Sequence, residues 1–153
     1  MSDTLYEQDF WRWSQQQAAA LKRRASGGNA LDYDNLAEEV AALGRSERAA
    51  VFSYVARIIE HLHKLSSSRA VDPRQGWEDE IRGFRVHVAN RMTPSIRGMT
   101  NRRLDKLHAD GAQFARAALR KYEPDVQVDA GRRWSLAQIL GERDDPLDEE
   151  IRP

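Results

Sequence analysis

The feature that most constrains the fold is an apolar stripe in the middle of the chain. Apolar residues recur there at alternating steps of four and three: Val51, Val55, Ile58, Leu62 and Leu65, with Phe52 and Ile59 beside them. This spacing matches the period of an α-helix and predicts an amphipathic helix with one buried face. The chain contains no β-branched run with a period of two, no internal repeat and no Gly-rich phosphate loop. An all-α fold is therefore predicted.

Two further helices are predicted before this stripe. The first begins at the capping box Thr4-x-x-Glu7 and ends at Gly27-Gly28. Its expected inward residues recur at steps of three or four and are Tyr6, Phe10, Trp13, Gln17 and Leu21. Trp11 lies on the opposite side of this helix, so it is expected to be at least partly exposed.

The second predicted helix is short. Asp32 or Asp34 caps its start, and Gly44 suits the left-handed residue that follows a helix end. Its expected buried face consists of Leu36, Val40 and Leu43. Ser46 then caps the helix that carries the central stripe. The sequence thus predicts a break between these two helices.

Later segments predict two long helices and a short one. The fourth helix should bury Trp77, Ile81, Phe84 and Val88. Thr93 as cap and Pro94 at the first helical position start a fifth helix, from about Ser95 to Tyr122. Its expected inward residues are Ile96, Leu104, Leu107, Phe114, Ala118 and Tyr122, and its small residues Gly111, Ala115 and Ala118 would let another helix approach closely. A second capping box, Ser135-x-x-Gln138, starts the short helix.

These elements predict a single-domain helical bundle of five main helices plus a short C-terminal helix. We expect residues 1–141 to form the helical domain and 142–153 to form an acidic, loosely ordered tail. The chain has no Cys, so disulfides and thiolate metal sites are excluded. No apolar run approaches the roughly 18 residues of a membrane span, so we expect a cytoplasmic protein without a membrane partner.

Two blocks of sequence carry a resemblance to a known family. They are residues 6–13, Tyr-Glu-Gln-Asp-Phe-Trp-Arg-Trp, and residues 34–47, Asp-Asn-Leu-Ala-Glu-Glu-Val-Ala-Ala-Leu-Gly-Arg-Ser-Glu. Together with Trp77-x-x-x-Ile81-x-x-x-Arg85 and the block 134–140, they resemble the bacterial family catalogued as domain of unknown function 29. The resemblance implies a helical fold and no established activity or cofactor. The residues taken as its structural motif are Tyr6, Asp9, Phe10, Trp13, Asn35, Leu36, Glu39, Gly44, Trp77 and Arg85.

Charge is balanced overall but not locally, since 24 basic and 24 acidic residues give a net charge of zero. Between residues 81 and 104 there is no acid, and six arginines occur: Arg82, Arg85, Arg91, Arg97, Arg102 and Arg103. Such a surface could contact nucleic-acid phosphates. Acidic residues around 32–47 and 142–150 favour pairing within the chain or between copies instead. The candidate interaction residues are Trp11, Arg12, Arg82, Arg91, Arg97, Arg102 and Arg103.

Two carboxylate patterns suggest chemistry. Glu60-x-x-His63 has the spacing of carboxylate-bridged di-iron bundles, but those need a second such pair, and Glu60 is expected to face solvent. The other histidines, His61, His87 and His108, are expected on the flanks of their helices. Glu38 and Glu39 point in different directions on a helix, so we expect Glu39 to pair with Arg85 rather than to act as a catalyst.

No catalytic residues are predicted, because no Ser lies in a Gly-x-Ser-x-Gly turn and no His has a motif-supported partner. The prediction from sequence is a non-enzymatic helical protein-interaction module that self-associates or binds another protein, with no cofactor and no metal. A nucleic-acid-binding protein using the 82–103 arginine surface is the alternative. A metal-dependent helical-bundle enzyme using Glu60 and His63 is the third reading.

Overall fold

A computed structural model of the chain describes residues 4–24, 32–149 and 151. Within these ranges the protein is all-α, as predicted, and no strand is formed. The seven helices of the described residues are α1 Leu5–Gln8, α2 Phe10–Arg24, α3 Tyr33–Ser67, α4 Arg74–Ala89, α5 Pro94–Arg102, α6 Leu104–Leu119 and α7 Leu136–Ile139. None of the helices in the described ranges combines the length and the apolarity that a bilayer crossing requires.

The longest helix, α3, is continuous where the sequence predicted two helices. It spans 35 residues, which corresponds to about 50 Å at 1.5 Å per residue. Asp32 caps its start by accepting a hydrogen bond from the backbone N–H of Asn35 at 3.1 Å. The predicted break at Gly44 and Ser46 is wrong. Gly44 is a buried residue inside the helix. A glycine is required there because a neighbouring helix packs closely against it, and not because the chain turns.

That neighbour is α2, which packs antiparallel to the first half of α3. Ala18 packs with Ala37 and Ala41, while a Cβ added at Gly44 would lie only 2.1 Å from Oγ of Ser14. Small residues at the contact therefore set a short distance between the two helix axes. We call α2 and residues 33–50 of α3 the hairpin. The predicted end of the first helix at Gly27-Gly28 lies outside the described residues.

The hairpin buries different residues from those predicted. Leu36 and Leu43 are 42% and 54% exposed, and the buried face of α3 consists of Ala37, Ala41 and Gly44. The prediction of an inward Leu36, Val40 and Leu43 stripe is therefore wrong. Residue size explains the error, because two helices that approach this closely leave no room for leucine between them.

The second half of α3 forms the centre of the core, and the predicted stripe is confirmed. All five stripe residues, Val51, Val55, Ile58, Leu62 and Leu65, are at most 1% exposed. They form one cluster with apolar residues of all four later helices: Ile81, Val88, Ile96, Leu107, Leu136 and Ile139. A Cβ at Gly111 of α6 would lie 2.6 Å from Cγ2 of Ile59, which confirms the predicted close approach of a neighbouring helix.

The predicted fifth helix is divided at Arg103. Its start is confirmed, because Thr93 accepts a hydrogen bond from the N–H of Ile96 at 3.2 Å and Pro94 opens α5. Arg103 leaves the helical conformation at φ −98° and ψ 1°, and α6 then begins at Leu104 with a new phase. Consequently Phe114 and Tyr122, predicted to face inward, are 40% and 86% exposed.

Residues after α6 fold back across the helices. The Ser135 and Gln138 capping box that starts α7 is confirmed, as is the Thr4 and Glu7 box at α1. In the acidic segment, Leu147 and Ile151 pack against the core. These two apolar side chains, which stand between the acids, bring the segment into contact with the helices.

Candidate functional site

Aromatic residues near the start of the chain form an outer cluster rather than part of the core. The ring of Tyr6 lies 5.5 Å from that of Phe10 and 4.8 Å from that of Trp13, and Tyr6 is 52% exposed. Trp11 instead packs against the core, with its indole Nε1 buried. The prediction of an inward Tyr6 is wrong, because the chain leaves the helix at Asp9 and the phase of Tyr6 is not carried into α2. Trp11 is partly exposed, as predicted, and Phe10 and Trp13 are partly buried.

Asp9 joins the start of α2 to the start of α5. It is 5% exposed, and its two carboxylate oxygens accept hydrogen bonds from the backbone N–H groups of Arg12 at 3.0 Å and Ser95 at 2.9 Å. Burial alone would raise the pKa of Asp9, but these N–H bonds outweigh it and hold the pKa below its usual value. The side chain of Arg12 itself is exposed.

The outer side of the hairpin presents a regular apolar stripe. Leu36, Val40 and Leu43 follow one another at steps of four and three, with Val40 half-buried and both leucines largely exposed. We call these three residues the hairpin stripe. Its next position is Glu47, which lines a cavity of about 350 Å³ together with Phe10 and Trp11. The stripe therefore runs along α3 towards the aromatic cluster.

One edge of the hairpin stripe is acidic. Asp32 and Glu39 each precede a stripe leucine by four residues, so they lie along the same edge of α3, and both are exposed. The prediction that Glu39 pairs with Arg85 is wrong. Within the described part of the chain, Glu39 takes part in no ion pair, and Asn35, the other polar motif residue here, bonds to Asp32.

Arg85 is occupied by the acidic segment. Its guanidinium forms a two-pronged contact with Asp145, at 2.7 Å and 2.8 Å, and donates to the carbonyl oxygen of Ile139 at 2.9 Å. Burial would raise the pKa of Asp145, but Arg85 and the Leu147 N–H lower it below its usual value. Arg85 thus attaches the acidic segment to α4 and binds Asp145 instead of Glu39.

Three of the predicted interaction arginines are paired. Arg82 contacts Glu78 and Asp79 on its own helix at 3.4 Å and 3.0 Å. Arg91 lies 3.5 Å from Glu47 of the hairpin, and Arg97 pairs with Glu142. The expected pairing between distant charges within the chain is therefore observed for Arg91 and Arg97.

Of the six arginines between residues 82 and 103, two have no carboxylate partner among the residues that the structure describes. These are Arg102 and Arg103, where α5 meets α6. The guanidinium carbon of Arg103 lies 5.4 Å from the centre of the Phe52 ring, a cation–π contact. The free positive charge of the arginine-rich region is thus confined to its end.

Glu60 is buried, contrary to the prediction that it faces solvent. It is 3% exposed, and its two carboxylate oxygens contact Nζ of Lys64 and Nη1 of Arg57, each at 2.7 Å. Burial would raise the pKa of Glu60, and these two cations instead hold it below its usual value. The second half of α3 is covered by α4 and α6, so even its polar side is enclosed.

The arrangement around Glu60 does not match a metal site. Both carboxylate oxygens are taken by cations, and His63 lies elsewhere, against Trp134. Among the described residues, no group of three His, Asp or Glu side chains is placed to hold a metal ion. The side chains of Glu60 and His63 therefore lie in two different environments.

Sequence reasoning missed a buried histidine pair around Trp134. His63 and His108 are 0% and 1% exposed, although flanking positions were predicted for His108. The ring of His63 meets that of Trp134 edge-on at 4.9 Å, and Nε2 of His108 donates to the carbonyl oxygen of Trp134 at 2.9 Å. His63, His108 and Trp134 are far apart in the sequence, so no rule based on residue spacing could predict that they are in contact.

The environment of this pair keeps both rings neutral. Burial, followed by the proximity of His108, lowers the pKa of His63 to about 4, and burial also lowers the pKa of His108. Neither ring nitrogen of His63 has a hydrogen-bond partner among the described residues. A neutral ring tolerates this apolar site, whereas an imidazolium would not.

Comparisons with known proteins place the chain among proteins without an assigned activity. The structure is similar to the crystal structure of an alpha-helical protein of unknown function from Rhodospirillum rubrum, with 25% sequence identity and a TM-score of 0.78. The similarity covers 98% of this chain and 97% of the other. No curated protein matches the chain. The profile of Domain of unknown function DUF29 matches residues 5–143, and the chain therefore belongs to that family.

Proposed function

We propose that this chain is a non-enzymatic protein-interaction module that binds a helical partner along the hairpin stripe. The observation that carries the proposal is the exposure of Leu36 and Leu43, at 42% and 54%, on a helix whose other side is buried by α2. Regularly spaced apolar residues on an exposed helix face are typical of helix-binding surfaces. The hairpin supplies a rigid support, because its two helices are packed through small residues.

Charge along the stripe favours one kind of partner. Asp32 and Glu39 form an acidic edge beside the leucines, and neither takes part in an ion pair with another described residue. A partner helix with an apolar face and an adjacent row of Lys or Arg would complement both features. The charges would contribute chiefly to orientation and association rate, while the leucines would supply most of the affinity.

The affinity of such a contact is expected to be moderate. Full burial of an exposed leucine contributes about 1.5–3 kcal/mol, and each stripe leucine is already about half covered. The two leucines together would then contribute roughly 1.5–3 kcal/mol. Further contacts, for which the neighbouring aromatic cluster is placed, would be needed for tight binding.

A quantitative capture experiment tests this proposal. Immobilised wild-type protein is compared with the double variant Leu36→Ser/Leu43→Ser for retention of proteins from the native host, with each retained protein measured by mass spectrometry. The matched control is Val71→Ser/Val86→Ser, which removes two side chains that are 77% and 59% exposed elsewhere. We expect a defined protein to be retained by the wild type and the control, and at least tenfold less by the stripe variant.

Two outcomes of the capture experiment would contradict the proposal. Equal retention by all three proteins, or no specific retention by any of them, would remove the proposal. The oligomeric state of the wild-type chain, measured by light scattering, is determined in parallel. A dimer that the stripe variant abolishes would identify the helical partner as a second copy.

The two other readings of the sequence have less support. Of the six arginines between residues 82 and 103, four are paired with carboxylates, which reduces the charge left for a nucleic-acid backbone. A metal-dependent activity lacks a ligand set among the described residues. The expected cytoplasmic location stays part of the proposal, and cell fractionation would test it.

A further inference from the structure

We propose that a groove at the junction of α5 and α6 binds the phosphate group of a small anionic ligand. The groove has a volume of about 580 Å³; it reaches the end of the hairpin at Arg48 but contains none of the three stripe residues. Four cations line it, together with Phe52 and Met99: Arg48, Arg102, Arg103 and Lys106. We call this site the basic groove. The inference is independent of the proposed protein-interaction function.

Charge is the first reason for this assignment. Arg48, Arg102 and Arg103 have no carboxylate partner in the part of the chain that the structure describes, whereas Arg82, Arg91 and Arg97 are all paired. The groove contains one acid, Asp105, and its lysine is already bound to Asp110, at 2.9 Å and 3.1 Å. Three guanidinium groups without a counter-charge therefore line one concave surface.

Pre-positioning is the second reason. The guanidinium carbon of Arg103 lies 5.4 Å from the centre of the Phe52 ring, a cation–π contact, and Nη1 of Arg48 donates a hydrogen bond to the sulfur of Met99 at 3.9 Å. Each of these two guanidinium groups thus has a neighbour that fixes its position, Phe52 for Arg103 and Met99 for Arg48, and most of its N–H groups are left for a ligand. Because guanidinium N–H groups form paired hydrogen bonds with phosphate oxygens, such a site binds phosphate with little loss of side-chain freedom.

The break between the helices creates the concavity. Arg103 stands at φ −98° and ψ 1° between α5 and α6, so the two helices do not continue as one smooth surface. Arg102 lies back along α5, where its Nη1 would be 3.5 Å from a Cβ at Gly98. The junction therefore presents Arg102 and Arg103, two consecutive residues, to the same groove.

Size and shape favour a small ligand over nucleic acid. Phe52 is the one aromatic ring in the groove, with the guanidinium carbon of Arg103 5.4 Å from its centre, so the groove lacks a row of aromatic side chains on which successive bases could stack. The positive surface does not extend further, because Arg91 and Arg97 are neutralised by Glu47 and Glu142. One or two phosphate groups match the three available guanidinium groups.

Titration calorimetry with inorganic pyrophosphate tests the assignment. Wild-type protein is compared with Arg102→Gln/Arg103→Gln and with the control Arg82→Gln, whose arginine is exposed and paired on α4. We expect the double variant to weaken pyrophosphate binding at least tenfold and the control to change it less than twofold. Unchanged melting temperatures would show that the variants are folded, and Arg48→Gln provides a second variant if the junction pair is not tolerated.

Several results would overturn the proposal. These are the absence of pyrophosphate binding by the wild type at low salt, and equal binding by wild type and groove variants. A short single-stranded oligonucleotide and vesicles containing phosphatidylserine are titrated in parallel. Tighter binding of either than of pyrophosphate, lost in the same groove variants, would replace the small phosphate ligand by a nucleic acid or a membrane surface.

Discussion

The two halves of α3 have the same backbone conformation and opposite surroundings. In the first half, α2 is the main neighbour of the helix among the described residues, and Leu36 and Leu43 stay about half exposed. In the second half, α4, α5, α6 and α7 surround the helix, and even Glu60 and Lys64 are buried, at 3% and 9% exposure. The comparison teaches that the number of neighbouring helices decides burial, and that residue type alone does not.

The halves also differ in how they meet their neighbours. The hairpin is held by contacts between small residues, where Ser14 and Gly44 approach each other too closely for a Cβ at residue 44. The second half is held by large side chains such as Ile58 and Leu62, which are fully buried. A large loss of apolar contact is therefore expected only in the second half, whereas the first half is sensitive to added atoms.

Truncation of a leucine gives the largest contrast between the halves. Leu62→Ala leaves a cavity at a fully buried position, and we expect it to lower the free energy of unfolding by about 2–5 kcal/mol. Leu43→Ala, at a position that is 54% exposed, should change it by less than about 0.5 kcal/mol. Urea unfolding followed by circular dichroism measures both; similar losses in the two variants would contradict the comparison.

Substitution of glycine by alanine should have opposite effects on stability at Gly44 and Gly83. In Gly44→Ala the new Cβ meets Oγ of Ser14 at 2.1 Å, and we expect a loss of about 1–3 kcal/mol from overpacking. Gly83→Ala on α4 has no atom within 4 Å of the new Cβ, and better helix propensity should stabilise the protein by up to about 1 kcal/mol.

Thermal unfolding of the two glycine variants provides the measurement. Opposite signs are the expected result. The combination Ser14→Ala/Gly44→Ala should recover part of the loss, because it removes the oxygen that the new methyl group meets. A Gly44→Ala protein as stable as wild type would show that the hairpin is not packed through this contact.

Lowering the pH should destabilise the fold first through His63, in the second half of α3. Burial lowers the pKa of His63 from 6.5 to about 4, so the unfolded chain takes up the proton first. Stability is fully present above pH 6.5 and is lost as the pH falls towards 4. From this shift, the loss between pH 7.5 and 5.5 is about 1 kcal/mol, and His108, shifted in the same direction, adds to it.

Charged groups near the pair modulate this effect. Asp129 favours the charged form of His63, whereas Arg132 and Arg133 oppose it. The lowered carboxylate pKa values of Asp9 and Asp145 act at lower pH, because stability from them is lost only below their usual value of 3.8.

Urea titrations at pH 7.5, 6.5 and 5.5 provide the test. The variant His63→Leu should have a flatter profile than wild type, and His87→Gln, at an exposed histidine, should keep the wild-type slope. A wild-type profile without any decline between pH 7.5 and 5.5 would contradict the buried neutral pair.

The features that depend on interactions between residues close in sequence were predicted correctly. The Thr93 cap with Pro94, the two capping boxes and the Val51 to Leu65 stripe were all predicted and are present. Each depends on atoms within a few residues of one another, or on one face being apolar enough to require burial. Ion pairs between acidic residues and the 82–103 arginines were also predicted, although the partner of Arg85 is Asp145 and not Glu39.

The errors share a different cause, the position of a second helix. The exposure of Leu36 and Leu43 and the burial of Glu60 depend on which side of each helix has a neighbour. The sequence by itself determined that this chain is helical, where its main core stripe lies and how several helices begin, because caps and periodicity act over a few residues. Only the tertiary structure decided which apolar residues stay exposed, which charges are enclosed and where three free arginines converge, because these depend on contacts between distant segments.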